Sequence, residues 1–207
     1  MAISAQDKIL HVANKLGLSS LKYMQASTGA VYDGSTANTD THTFFTNAVQ
    51  NANPAITNVS DNRFEVNEAL LIETIGFYAL AGDGQPNPEK AFNFVDAVPG
   101  ASPLLVVFDV VIGNKVVIKD MPIWQIGSPA CFSSGGYSLN TAITPNVLEN
   151  KPRHQVYMEG VGILIPPQVE FAVNARVYDF TTNQPSNLPI GCYLYGTKVN
   201  LNFNTTL

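Results

Sequence analysis

The chain has 207 residues, of which 45% are hydrophobic and only 13% charged, with a net charge of −5. An ordinary globular protein carries about 25% charged residues, so this surface is built from Asn, Thr and Gln. The 11 Lys and Arg residues are scattered, and their densest group, Lys151 and Arg153 with His154, excludes recognition of nucleic acid led by phosphate contacts. The length suits one β-rich domain that buries a core without disulfide staples. Cys131 and Cys192 could pair, but they are read as two buried free thiols, since a secreted disulfide scaffold carries more cysteines at regular spacing. The N-terminus lacks the basic and apolar regions of a secretory signal, and no apolar run reaches the roughly 18–20 residues of a membrane span. Folding in a cytoplasm is expected.

The first element is an amphipathic helix over Ala5–Leu16. Ile9, Leu10, Val12, Ala13 and Leu16 recur at helical spacing, and Gly17 is a natural stop. Residues 25–60 are rich in Thr, Asn, Ser, Ala and Gly and show little apolar periodicity. They are expected to form an extended arm, with a helix near Phe44–Asn51. Residues 1–60 are therefore set apart as helix and arm, expected to lie on other subunits, and residues 61–207 as the main domain.

From Arg63 the pattern turns to strands. "RFEVNEALLIETIGFYAL" suits one long bent strand or two. "LLVVFDVVIGNKVVIKDMPI" is a hairpin in which Gly113-Asn114 supplies the turn between β-branched runs. "HQVYMEGVGILI" is a further strand. In "QVEFAVNARVY", Val169, Phe171, Val173, Ala175 and Val177 take one face, and Gln168, Glu170, Asn174 and Arg176 the other. "YLYGTKVNLNF" is expected to turn Tyr193, Tyr195, Val199, Leu201 and Phe203 inward. Pro166-Pro167 falls between two strands, where missing N–H groups matter little and a fixed φ sets the exit direction, so the pair marks the corner where the chain leaves one sheet. Seven or eight strands with few helices make an all-β antiparallel sandwich, jelly-roll-like, from about Arg63 to Phe203.

The residues that carry chemistry do not assemble into a motif. His11, His42 and His154 have no metal-ligand spacing. "ACFSSGGYS", with Cys131, Ser133 and Ser134, is not a nucleophile elbow, and Cys131 with His154 has no support beyond residue type. "GTK" at Gly196 to Lys198 lacks a phosphate loop's glycines and sits in a strand pattern. "AGDGQPNPEK" at Ala81 to Lys90 lacks the spacing of a calcium loop. Glu65, Glu68 and Glu73 lie near one another along the chain, and in a regular strand Glu65 and Glu73 share a face that Glu68 does not. Sequons at Asn58 and Asn204 matter only for a secreted eukaryotic protein. No catalytic, cofactor-binding or metal residue is assigned, no cofactor is implied, and the chain reads as a non-enzyme.

"FFTNAVQNANPAITNVSDNRFEVNEALLIETIGFY" resembles the opening strand region of bacteriophage virion proteins with a jelly-roll fold, where an Asn- and Thr-rich arm leads into a long hydrophobic strand. "GVGILIPPQVEFAVNARVY" followed by "CYLYGTKVNLNF" is similar to the corner and paired strands that end such a sandwich. The resemblance covers roughly Phe44 to Phe203. It implies a capsid or capsid-associated structural subunit, assembled in the host cytoplasm into a virion, with copies of itself and other virion proteins as partners and no direct contact with nucleic acid. Leu70, Ile72 and Tyr78 are expected to be core or else buried by assembly. One alternative is a carbohydrate- or receptor-binding head-fibre module, for which Trp124, Tyr137, Tyr157 and Tyr178 are candidate contact aromatics; another is an enzyme on a jelly-roll scaffold, which would need a buried polar cluster.

Overall fold

A computed structural model describes residues 4–18, 24–46, 56–59, 61–79, 104–122, 155–157, 162–179, 182–187 and 189–201. Helix α1 spans Ala5–Leu16, as its spacing predicts. The Ser4 hydroxyl accepts the Asp7 N–H at 3.2 Å, and Gly17 closes the helix at φ 68°. Asp7 in the first turn and Lys15 in the last complement the helix dipole.

Among the described residues ten strands follow: β1 (Gln25–Ser35), β2 (Thr41–Phe44), β3 (Glu68–Ala79), β4 (Leu104–Ile112), β5 (Lys115–Pro122), β6 (Gln155–Tyr157), β7 (Ile163–Ile165), β8 (Phe171–Asp179), β9 (Gln184–Pro185) and β10 (Ile190–Asn200). They form two antiparallel sheets packed face to face. The first sheet runs β1-β10-β3, with β6 and β7 both on the far edge of β3. The second runs β2-β8-β4-β5, with β9 also on β8. We count β6 and β7 as one edge strand and set aside the two-residue β9. Among the described strands, taken in chain order, the first then pairs with the eighth (β1·β10), the second with the seventh (β2·β8), the third with the sixth (β3·β6/β7) and the fourth with the fifth (β4·β5).

Within the stretch expected to be an arm, Gln25–Ser35 and Thr41–Phe44 are strands of the two sheets. Its Gly, Ser and Thr residues hide the strand pattern because β1 is held by an eleven-residue backbone ladder to β10 and not by a buried apolar face. The expected helix near Phe44–Asn51 gives way at its start to β2, and Phe45 follows it at φ 60°. Asp33 fixes that backbone: its Oδ2 accepts the Phe45 N–H at 2.7 Å. The rest of that predicted helix, from residue 47, lies outside the described residues.

The core lies between the sheets. Leu70, Ile72, Ile75 and Phe77 of β3, Cys192 and Leu194 of β10, Val106, Phe108 and Val110 of β4, and Phe171, Val173, Ala175 and Val177 of β8 meet there. Phe77 packs on Phe108 at 5.2 Å between ring centroids, and Phe171 on Phe45 and on Phe64 at 5.3 Å each. The inward face of β8 is the one its alternation predicts, and Leu70 and Ile72 are core. Gly113 turns the β4·β5 hairpin at φ 58°. The chain leaves β7 in the first sheet through Pro166-Pro167 and enters β8 in the second, the corner that the two prolines mark.

Tyr193, Tyr195 and Val199 do share a face of β10, but it is the outer one: Cys192 and Leu194 point to the core, and Tyr195 is 44% exposed. Val199 is buried because α1 lies over that face, so β10 is apolar on both sides and its alternation does not reveal which side is inward. Leu201 packs beside Val199; Phe203 lies outside the described residues.

Candidate functional site

Among the described residues, two clusters of charged side chains form where a strand carries extra residues. In β3 the register to β10 shifts by one between Tyr195↔Thr74 and Gly196↔Ile72, leaving Glu73 as the extra residue of a β-bulge. The bulge inverts the strand's alternation: Leu70 and Ile72 face the core before it, Ile75 and Phe77 after it. Glu73 therefore lies on the outer face with Ala69 and Leu71, while Glu68 pairs with Lys198 at 2.8 Å and Glu65 precedes the strand. The three glutamates do not form a carboxylate pair.

Glycines on both sides make room for the bulge. A Cβ at Gly196 would stand 1.9 Å from the Leu71 carbonyl oxygen, and one at Gly162 would stand 2.2 Å from that of Ile72. Gly162 also holds φ at 88°, which side chains other than glycine rarely adopt. On this edge of β3, β7 pairs Ile163 with Ile72 and β6 pairs Tyr157 with Thr74, one on each side of Glu73.

Over the bulge sits α1. Val12 packs with Ala69, Leu71 and Val199, flanked by Leu16, Met24, Ala26 and Leu164, in a cluster separate from the main core. One turn earlier Lys8 Nζ donates to Glu73 Oε1 at 2.7 Å and to Thr197 Oγ1 at 3.3 Å, and Thr197 Oγ1 donates to Glu73 Oε1 at 2.6 Å. Partial burial raises the Glu73 pKa, but the hydrogen bonds from Lys8 and Thr197 and the Lys8 charge outweigh it and hold the carboxyl below its usual value. With so many donors on it, the carboxylate is a tether for the helix and a poor base. Ion pairs at this exposure contribute up to about 1 kcal/mol, while removing Lys8 alone would leave a partly buried anion uncompensated, which costs more.

The second place is the edge strand β5. Its register to β4 shifts between Phe108↔Met121 and Val110↔Ile118, and again before Val111↔Val116, so β5 carries two extra residues. Asp120, at φ 49°, donates its N–H to Asp109 Oδ1 at 2.5 Å and accepts from Arg176 Nη2, which also lies 3.8 Å from Asp109 Oδ2. The hydrogen bond from Arg176 holds the Asp120 carboxyl low, and its return holds the guanidinium pKa high. The bulges and the exposed Lys115 and Lys119 spoil this edge as a template for another strand. The edge of β1 away from β10 is blunted differently: the Asn58 side chain accepts the Tyr32 N–H at 2.7 Å and donates to the Ala30 carbonyl at 2.9 Å.

The residues weighed in the sequence are dispersed. His11 is on α1, and His42 is buried in β2, stacked on Phe44 at 6.0 Å. Cys192 is buried in β10, where burial and the Asp33 charge push its thiol pKa well up. "GTK" is strand, as its pattern predicts. Tyr178 is half-buried on β8. Cys131, Ser133, Ser134, His154, Trp124, Tyr137, Asn204 and the 81–90 loop lie outside the described residues. Among the described residues no three His, Cys, Asp or Glu side chains gather as a metal site, and no helix is long and apolar enough to cross a membrane. Sequence reasoning missed Lys8 and Thr197; the one available signal was a glutamate and a threonine side by side within an apolar strand run. Comparison with protein-family profiles, curated proteins and solved structures finds no match.

Proposed function

We propose that the chain is a non-enzymatic structural subunit of a bacteriophage virion, a capsid or capsid-associated protein that acts by self-association. The observation that carries this reading is the order of pairing among the described strands, first with eighth, second with seventh, third with sixth and fourth with fifth. A two-stranded antiparallel ribbon folded alternately into two sheets has that order, and we read it as a jelly roll, an architecture found in viral capsid and lectin domains. Architecture alone does not fix function, so the sequence resemblance and the surface chemistry supply the rest.

The surface is amide-rich and carries few charges, so copies can meet without stripping water from many ions. The edges of β1 and β5 are blunted, which directs association to faces and not to strand addition. The polar clusters are tied to each other, as Glu73 is to Lys8 and Arg176 is to Asp120, and hold the fold.

Light scattering and electron microscopy of the concentrated full chain test the reading. Trimers, pentamers, hexamers or larger particles are expected, with interfaces above about 1,000 Å². A strictly monomeric species at high concentration that binds glycans on an array would replace it with the receptor-binding reading.

A further inference from the structure

We propose that α1 is an exchangeable element: it docks on the outer face of its own first sheet or, in the same seat, on that of a second copy. The proposal rests on the self-association reading and names the segment that copies would share.

The helix stands outside the main core. Val12 packs into a separate cluster with Ala69, Leu71 and Val199, and the sheet beneath keeps its ladders through backbone bonds that do not involve α1. Within α1 only Val12 and Ala13 are buried. A twelve-residue helix is marginal alone in water, so α1 is suited to leave by local opening while the sandwich stays folded. Its seat is selective. An occupant must bring an apolar stripe over Leu71 and, one helical turn before it, a cation over Glu73 and Thr197; without that cation a partly buried carboxylate keeps the Thr197 hydrogen bond but loses its counter-charge. The segment with Lys8 four residues before Val12 meets both demands, and every copy carries it. From Gly17 to Met24 the chain has eight residues, which reach about 26–29 Å when extended. Exchange of an identical element between copies makes the same contacts twice and adds little cost.

Charge reversal tests this on the full chain. Lys8→Glu leaves two anions facing each other in one molecule, and Glu73→Lys leaves two cations. Mixed, each variant's helix complements the other's sheet. Hydrogen exchange should find α1 protection lost in each variant alone, restored in the Lys8→Glu/Glu73→Lys double variant, and restored in the mixture. Energy transfer between labelled variants should then report heterotypic contact, in species heavier than the 22.3 kDa of one chain. Circular dichroism confirms that each variant keeps its sheet. Protection restored in the double variant but not in the mixture would show docking within one molecule only and overturn the proposal. So would protection that persists in the single variants, or that the double variant fails to restore. Light scattering of the unaltered chain judges self-association separately: a wild-type oligomer without complementation sinks the exchange alone, and a wild-type monomer whose variants still complement sinks the self-association reading alone.

Discussion

Replacing Gly196 by alanine puts the β3 bulge under direct load. The new Cβ would lie 1.9 Å from the Leu71 carbonyl oxygen and 2.9 Å from the Glu73 nitrogen. Carbon–oxygen contacts settle near ~3.3 Å, so the first must open by about 1.4 Å. Both opposing atoms are backbone, and no rotamer change relieves them. Gly196 is not at positive φ, so the constraint is space alone. Overpacking in a core costs about 1–3 kcal/mol when side chains yield. Here the β3·β10 ladder must part, and each neighbouring hydrogen bond lost adds about 1 kcal/mol. A loss of at least about 3 kcal/mol is expected. With a urea slope of about 2 kcal/mol/M, the unfolding midpoint falls by about 1.5 M. The control is Gly17→Ala, where φ is 68° but no atom lies within 4 Å; only the left-handed backbone cost of about 1–2 kcal/mol applies. Urea unfolding of both variants, with slopes equal to the parent's, decides the matter. If Gly196→Ala loses no more stability than Gly17→Ala, the close approach of β10 to the bulge is not what the glycine serves.

Two further outcomes are expected. Phe108→Ala empties the centre of the core beside Phe77 and should cost about 3–5 kcal/mol in the same assay; a loss below about 1 kcal/mol would place the core elsewhere. Glu73 has its folded-state pKa held below 4.5, so its contribution is present above the unfolded pKa and fades as pH falls through the folded one. The stability gap between the parent and Glu73→Gln should therefore be full near neutral pH and close below about pH 4.5. A gap independent of pH would show that the Lys8 tether does not depend on the carboxylate's charge.

The helix, the Gly113-Asn114 hairpin and the inward face of β8 were legible because each follows one periodicity with its own stop signal. Pro166-Pro167 was legible because a missing donor has few places in a sheet. The strands β1 and β2 were not. Their residues are small and polar, and what holds β1 is a partner more than 150 residues away, which no local window contains. The facing of β10 was hidden because α1 buries the outer side as well. The bulge in β3 shifts Leu70 and Ile72 out of step with Ile75 and Phe77, and an apolar run on a strand covered on both faces reads the same with or without that shift. The Lys8–Glu73–Thr197 cluster joins three elements, so no spacing along the chain announces it.

Pairing β1 with β10 also sets a timetable for synthesis. Strand β1 ends at Ser35 and its partner begins at Ile190, 155 residues later (190 − 35). At about 5–20 residues per second, a ribosome leaves β1 without that ladder for roughly 8–30 s. The hairpin β4·β5 closes as soon as it emerges, in about 1–10 µs. The β1·β10 and β10·β3 ladders are therefore among the last that the nascent chain can complete. During that wait Asn58, only 26 residues along from Tyr32, is already out of the ribosome to hold the backbone of β1.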